Sequence, residues 1–378
     1  MPIKFPSLIF LILIGWGTLF CQERKIKSPQ NRLFIDGLIQ AKSYQEAKQE
    51  LDLQLDYYFE HQVDSLPGYV RLVGNYELAG QNWESAANKA EQFVAKVKKV
   101  SKPTTYIQAL IELSNLYFDA RFHQKNYDVS KEALHITKSL NSPDPSKISF
   151  LEYNMGNALL YMGKNVEARI LFKRVKNILD QNPDIEPEQF YNTYNNLGRV
   201  FANISQVDSS NYYYEKALDV LERFKNSTPD VFYRKAIIEN NLSLNHQNTG
   251  KTEKAIATLQ RAAENFKKYF ETGDDESKKI RAKRNRLIAI DNLGTFFSGK
   301  GEYTKALELI ELSYRQKLGY LPKDDPDITI SKILLAEAHF AAKNYSLADD
   351  FMNQVLLQIE KNPKRLAYID SYSKNLKA

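Results

Sequence analysis

The sequence predicts an all-α protein built as a one-dimensional array of stacked helix pairs. Three observations predict it. One spacing of small residues returns along the chain, the prolines fall between the proposed pairs, and no run of alternating β-branched residues asks for a strand. The spacing is clearest in NLGTFFSGKGEYTKALELI, where Gly294 is followed by Phe297, Gly301, Tyr303, Ala306 and Ile310. Gly156, Leu159, Gly163, Ala168 and Phe172 repeat it, with Asn165 in the aromatic position. Gly198, Phe201, Ser205, Ser210 and Tyr214 follow the same ruler, as do Ser243, His246, Gly250, Ala255 and Leu259. Ala336, His339, Tyr345, Ala348 and Met352 close the series. Two helices cross closely only where Gly, Ala or Ser removes the side chain, and a turn bearing glycine separates them. A fixed spacing with a period of about 40 residues marks a solenoid.

The elements follow in order. Residues 1–22 combine Lys4 with the apolar run Leu8–Ile14, continued by Trp16, Leu19 and Phe20. That composition reads as an export signal cleaved near Cys21-Gln22, because the run is shorter than the roughly 18 residues of a spanning helix. An uncleaved anchor is the alternative, supported by Arg24, Lys25 and Lys27. Lipid attachment at Cys21 is disfavoured by the bulky Phe20 before it. Residues 23–30 form a short linker, residues 31–361 the array, and residues 362–378 a capping helix or the start of a ninth repeat. Ala47, Ala86, Ser130, Ala168, Ser210, Ala255, Ala306 and Ala348 mark eight repeats, 38 to 51 residues apart. The first three fit less well. Ile35 stands where a small residue is expected, the unit of Gly74, Trp83 and Ala86 carries an extra residue, and that of Leu116, Tyr127 and Ser130 about three. Prolines 29, 67, 103, 143, 145, 183, 187, 229, 322, 326 and 363 all lie outside the proposed helices. A helix-interior proline costs roughly 3 kcal/mol, so an all-helical array requires such a distribution. Asp144, Asp184, Asp230 and Asp327 follow prolines and are expected to cap the next helices.

The repeated spacing resembles the tetratricopeptide-repeat family, over nearly all of the chain beyond residue 30. The longer repeats, and the segment LGYLPKDDPDITISKILLAEAHFAAKNYSLADD, are similar to the kinesin-light-chain subtype. The resemblance implies a right-handed α-solenoid of about eight helix-turn-helix repeats, with the first helix of each lining a concave groove. Similar arrays precede caspase-like CHAT domains and sensor kinases.

No catalytic constellation stands out. HExxH, GxSxG, P-loop and paired CxxC motifs do not occur, and the single cysteine, Cys21, lies in the export segment. With one cysteine, no intramolecular disulfide can form. His61, His123, His135, His246 and His339 are scattered, and the last two read as packing residues. Asp324, Asp325 and Asp327 read as a solvated loop, lacking the spaced ligands and glycine of a calcium site. No metal or cofactor is expected.

Two features carry function. The first is polar stripes on the first helices: Tyr153 and Asn157; Asn192, Asn195, Arg199 and Asn203; Asn240, Gln247 and Asn248; and Asp291. Asparagine offers donor and acceptor together, which suits the backbone of an extended peptide. Asn154, Asn196, Asn241 and Asn292, beside the packed positions, are instead expected to bond between repeats. The second is a basic cluster, Lys278, Lys279, Arg281, Lys283, Arg284 and Arg286. It reads as a solvated face or as contact with an acidic partner or anionic lipid. Nucleic acid is not expected, given the export signal and a net charge of only +6 over 378 residues. The expected protein is a non-enzymatic, periplasmic or envelope-associated scaffold holding a protein or peptide in its groove. It would meet the membrane only through an uncleaved N-terminus. The alternative is the partner-sensing portion of a larger CHAT-protease-like or signalling system.

Overall fold

The structure is a computed structural model and describes residues 30–78, 83–223, 229–322 and 325–361. Among these residues it contains sixteen α-helices, one short 3₁₀ helix and no strand. The pairs are α1 (Gln30–Gln40) with α2 (Tyr44–His61) and α3 (Val70–Leu78) with α4 (Trp83–Val100), followed in the chain by α5 (Pro103–Asp119) and α6 (His123–Lys138). They continue with α7 (Pro145–Tyr161) and α8 (Asn165–Gln181), then α9 (Pro187–Asn203) and α10 (Val207–Arg223). Next come α11 (Asp230–Asn248) and α12 (Thr252–Thr272), α13 (Glu276–Gly299) and α14 (Tyr303–Leu318), and α15 (Pro326–Ala341) and α16 (Tyr345–Lys361). The expected all-α repeat fold is what forms, with sixteen α-helices among the described residues. The expected export segment and the terminal cap lie outside the described residues. The helices fall into two compact units, divided between Arg121 and Phe122. The first unit holds α1–α5 and the second α6–α16.

The ruler is a contact rule. A Cβ on Gly294 would stand 2.4 Å from Ile310 Cγ1 and 3.1 Å from the Ala306 carbonyl oxygen. On Gly156 it would meet Phe172 at 2.8 Å, and on Gly198 it would meet Tyr214 at 2.5 Å. In each case the side chain sixteen residues on lies flat against the missing one. The turn seven residues after the crossing position has a left-handed backbone, with φ of +75° at Gly163, +70° at Gly250 and +81° at Gly301. The next amide then donates back to the helix, Lys164 to the Leu159 carbonyl at 2.9 Å and Lys251 to that of His246 at 2.8 Å. This satisfies carbonyls that the helix end would leave open.

The expected extra residues in the early pairs are corrected by the same rule. α4 begins at Trp83, nine residues after Gly74, as α14 begins nine after Gly294. Counting back seven residues from Arg121, which has φ +60°, and nine from His123, the first residue of α6, puts the equivalent register position at Ser114, not Leu116. Arg121, like Lys42, Ser205 and Lys343, holds a left-handed turn without being glycine. That is why glycine failed to mark the position in the sequence. A second correction concerns caps. The acid before the proline caps the helix, because proline fits the first helical position. Asp144 accepts from the Ser146 amide, and Asp325, rather than Asp327, accepts from the Asp327 amide. α9 begins on Glu186-Pro187, so Asp184 caps nothing, and Asp230 is already inside α11. The 3₁₀ helix Val63–Tyr69, which contains Pro67, was not foreseen, and it buries Leu66 and Tyr69.

Each second helix packs onto the next first helix. Ile256, Leu259 and Ala263 of α12 meet Ala289, Leu293 and Phe297 of α13. Tyr214, Ala217 and Leu221 of α10 meet Ile238 and Leu242 of α11. Fully burying one such side chain stabilises by about 1.5–3 kcal/mol. Polar locks accompany the apolar faces. Buried Glu152 pairs with Arg174 at 3.3 Å and with Lys138 at 3.0 Å, and buried Glu239 with Arg261 at 3.0 Å. Lys317 and Asp291, both 1% exposed, form an ion pair to which Ser331 Oγ adds a contact at 3.4 Å. Burial raises the Asp291 carboxyl above its ordinary range, and the Lys317 ammonium draws it back.

Two stability measurements test these contacts. Gly294→Ala should cost about 1–3 kcal/mol by overpacking, read as a lower urea midpoint at constant slope. Gly299→Ala, whose added Cβ meets nothing within 4 Å, should stabilise by about 0.5–1 kcal/mol. Lys317→Met should cost about 3–5 kcal/mol because Asp291 is left charged and unpaired. The double variant Asp291→Leu, Lys317→Met should recover most of that loss.

Candidate functional site: an asparagine-lined cavity on the first helices

The first helices α9, α11 and α13 of the second unit carry the polar stripes to one surface. Toward their C-terminal ends lies a cavity of about 790 Å³. Seven asparagines line it: Asn165, Asn203, Asn240, Asn241, Asn245, Asn248 and Asn292. Arg199 supplies the cation, and Ala202, Leu244 and Ile288 supply apolar wall. Toward the helix N-termini lies a second cavity of about 300 Å³, walled by Tyr191, Tyr233, Ile237 and Ile238, with Asn192 and Asn195 beside them. Its charged groups are mutually paired. Arg234 contacts Glu188 at 2.9 Å and Asp230 at 3.4 Å, and Lys278 contacts Asp230 at 3.1 Å. Asn195 and Arg199 are one helical turn apart, about 6 Å along the axis, and so link the two cavities.

The polar side chains divide into bonded and available groups. Asn196 Nδ2 donates to Asn157 Oδ1 at 2.6 Å and to the Tyr153 hydroxyl at 3.0 Å, tying α9 to α7. Burial pushes the Tyr153 hydroxyl above its ordinary pKa. Asn245 Nδ2 donates to Ser210 Oγ at 2.7 Å and Asn211 Oδ1 at 2.8 Å, tying α11 to α10. Asn203 donates to Asn165 at 3.0 Å from an exposed position. Arg199 lies 5.4 Å from the Tyr161 ring centre and 3.4 Å from Asn196 Oδ1. The amide oxygens of Asn195 and Asn292 are buried with no hydrogen-bond partner among the described residues. A buried polar atom without a partner costs about 1–3 kcal/mol, so both are groups that a donor would relieve.

Of the expected groove residues, Asn192, Asn195, Arg199, Asn203 and Asn240 line these cavities. The other four, Tyr153, Asn157, Gln247 and Asp291, do not line them. Asp291 is buried in its ion pair with Lys317, since its stripe position turns into the contact between α13, α14 and α15. Asn157, 8% exposed, and Tyr153 are engaged by Asn196. Gln247 lines neither cavity. Asn292, expected as an inter-repeat bond, instead presents to the larger cavity. Asn245 and Asn165 were not singled out as site residues. Their signal was the asparagine density itself, two positions past the crossing residue of α11 and at the start of α8.

The basic cluster is largely consumed by the fold. Arg284 pairs with Asp327 at 2.6 Å and Asp325 at 3.1 Å, so those acids do not form a solvated loop. Lys278 pairs with Asp230, Lys279 with Glu276 at 2.8 Å, and Arg286 contacts Gln316 at 3.4 Å. Lys283 lies 4.3 Å from the Tyr320 ring centre, while Arg281 remains exposed. His339 stacks on Phe351 at 5.8 Å, a packing role. His246 is half-buried, and burial, with Lys254 and Lys251 nearby, lowers its pKa. No cluster of metal-ligating side chains occurs among the described residues. Nor is any described helix long and apolar enough to cross a membrane.

No family model matches the sequence, and no curated protein does. Solved structures do. A signal-transduction ATPase with a tetratricopeptide-repeat sensor from Pyrococcus horikoshii is 14% identical over 93% of this chain and 56% of that one, with a TM-score of 0.61. The apo form of RapI is 13% identical over 74% of this chain and 75% of its own, with a TM-score of 0.57. A Rap protein complexed with competence and sporulation factor is 12% identical, covering 92% and 96%, at 0.51. At such identities the likeness speaks to architecture, and it agrees with the contact rule described above. The chain folds as a helical repeat protein of the tetratricopeptide type.

Proposed function

We propose that this chain is a non-enzymatic, exported scaffold that holds an extended protein or peptide segment along α9, α11 and α13. The observation that carries the reading is the cavity of about 790 Å³ lined by seven asparagines and Arg199. Amides alternate donor and acceptor as a peptide backbone does, and Arg199 favours an acidic group on the bound segment. The Rap protein of similar fold was solved holding the competence and sporulation factor, which supports a binding role for such an array. Export rests on Lys4 and the apolar run through Phe20. A second reading, the sensing portion of a larger signalling system, draws on the likeness to the ATPase with a repeat sensor.

Each neutral hydrogen bond contributes about 0.5–1.5 kcal/mol net, so affinity is spread over several residues. A partner captured from envelope extract, then purified, gives the assay. Asn195→Ala with Asn240→Ala should weaken its binding about tenfold while helix content by circular dichroism is unchanged. Unchanged binding in that variant, with loss in Lys279→Ala, Arg281→Ala, would move the site to the α13 surface. N-terminal sequencing of native protein should begin near Gln22 or Glu23. An intact Met1 on cytoplasmic material would remove the export reading and leave the binding reading untouched.

A further inference from the structure

The 3₁₀ helix Val63–Tyr69 follows α2 and contributes Asp64, Gly68 and Tyr69 to a cavity within the first unit. The cavity measures about 580 Å³, and Tyr57, Tyr58 and Tyr69 form its aromatic wall. The Tyr58 and Tyr69 ring centres lie 5.2 Å apart, and the Tyr69 hydroxyl donates to buried Gln54 at 2.8 Å, which holds the wall in place. Arg32 lines the same cavity, 5.9 Å from the Tyr69 ring centre. Its position depends on Gly68, where a Cβ would stand 1.8 Å from Arg32 Nη1. Arg32 makes no ion pair among the described residues, although its charge reaches Asp36 through space. Two acids line the cavity as well. Asp64 accepts from the Thr105 hydroxyl, and Glu112 accepts from Gln108 Nε2 at 3.3 Å. Thr105, Gln108 and Glu112 share one face of α5. Neither acid pairs with Arg32 or with any other cation among the described residues.

We propose that this cavity binds a small zwitterion, an α-amino acid or dipeptide with an apolar or aromatic side chain. Its carboxylate meets Arg32, its ammonium meets Glu112, and its side chain lies against the tyrosine rings. Charge decides the class. A cation and two acids that surround one cavity without pairing leave both signs to solvent. A simple anion would gain from Arg32 but meet the acids, and a simple cation would do the reverse. A ligand that carries both signs satisfies the two together. The planar guanidinium offers a two-pronged contact to a carboxylate, and an ammonium group is further favoured over a tyrosine face. Asp64 is already engaged by Thr105, which leaves Glu112 the better acceptor. Aromatic walls with a few polar groups, in a cavity of this size, are what small-molecule sites have in common. The cavity shares no residue with those on α9, α11 and α13, so it stands or falls independently of the groove.

Isothermal titration calorimetry on the full chain tests this, with L-phenylalanine and phenylalanyl-leucine as probes. At least one should bind saturably. Blocking either end of that probe, by N-acetylation or by C-amidation, should weaken it about tenfold or more. Arg32→Gln should weaken the free probe to the level of its amide and make amidation silent, while acetylation still weakens binding. Glu112→Gln should do the converse. Gly68→Ala keeps every charged and aromatic lining side chain but displaces the guanidinium, so it should act in the same sense as Arg32→Gln. Circular dichroism checks that each variant is folded, and the blocked probes decide on the unaltered protein where one is not. No saturable binding of either probe overturns the proposal, as does equal binding of a blocked form. Binding lost in Asn195→Ala, Asn240→Ala but kept in Arg32→Gln also overturns it, by moving the ligand to the groove.

Discussion

The close crossing of two helices at one side-chain-free position is the constraint on which the array depends. At Gly156, Gly198 and Gly294 a ring or a branched side chain from the second helix occupies the space a Cβ would take. This contact fixes the helix separation, and the separation fixes which residues of the pair face outward to the next. The left-handed turn seven residues later is its geometric companion, because only a tight reversal brings the second helix back at that distance. The apolar faces of α10 and α12 then meet α11 and α13 in the same way. Local chemistry, repeated, thus sets the long-range order, as expected where each unit contacts only its neighbours.

Much of this was legible in the sequence because glycine and alanine sit where geometry leaves no choice. The misread early repeats show the limit. Lys42 and Arg121 occupy left-handed turns that favour glycine, so the punctuation was missing from the sequence while the turn itself persisted. Cap assignment failed for a related reason, since a proline next to an acid says that a helix begins but not which side of the proline the cap occupies.

The candidate site was only partly legible. A polar stripe on a helix shows which residues share a face, but neighbouring helices decide whether that face is open. Asp291 and Asn195 hold similar stripe positions, yet Lys317 and Ser331 close over the first while the second opens on a cavity. The basic cluster failed in the same sense. Its partners Asp230, Asp325 and Asp327 lie about 40 residues or more away in sequence, and no local pattern announces them. Asparagine serves both ends, bonding repeats together at Asn196 and Asn245 and presenting unpaired oxygen at Asn195 and Asn292.

That the larger cavity draws its walls from α9, α11 and α13 gives it an elastic character. Each of these helices belongs to a different repeat, so the cavity keeps its shape only while the rotation from one repeat to the next keeps its value. An occupant that bonds all three helices favours that one rotation over its neighbours, and by linkage a force that winds or unwinds the stack alters occupancy by the same free energy. The bonds of Asn196 to α7 and of Asn245 to α10 set the stiffness of this spring from behind. In such an array, recognition and mechanical compliance are one property measured in two ways.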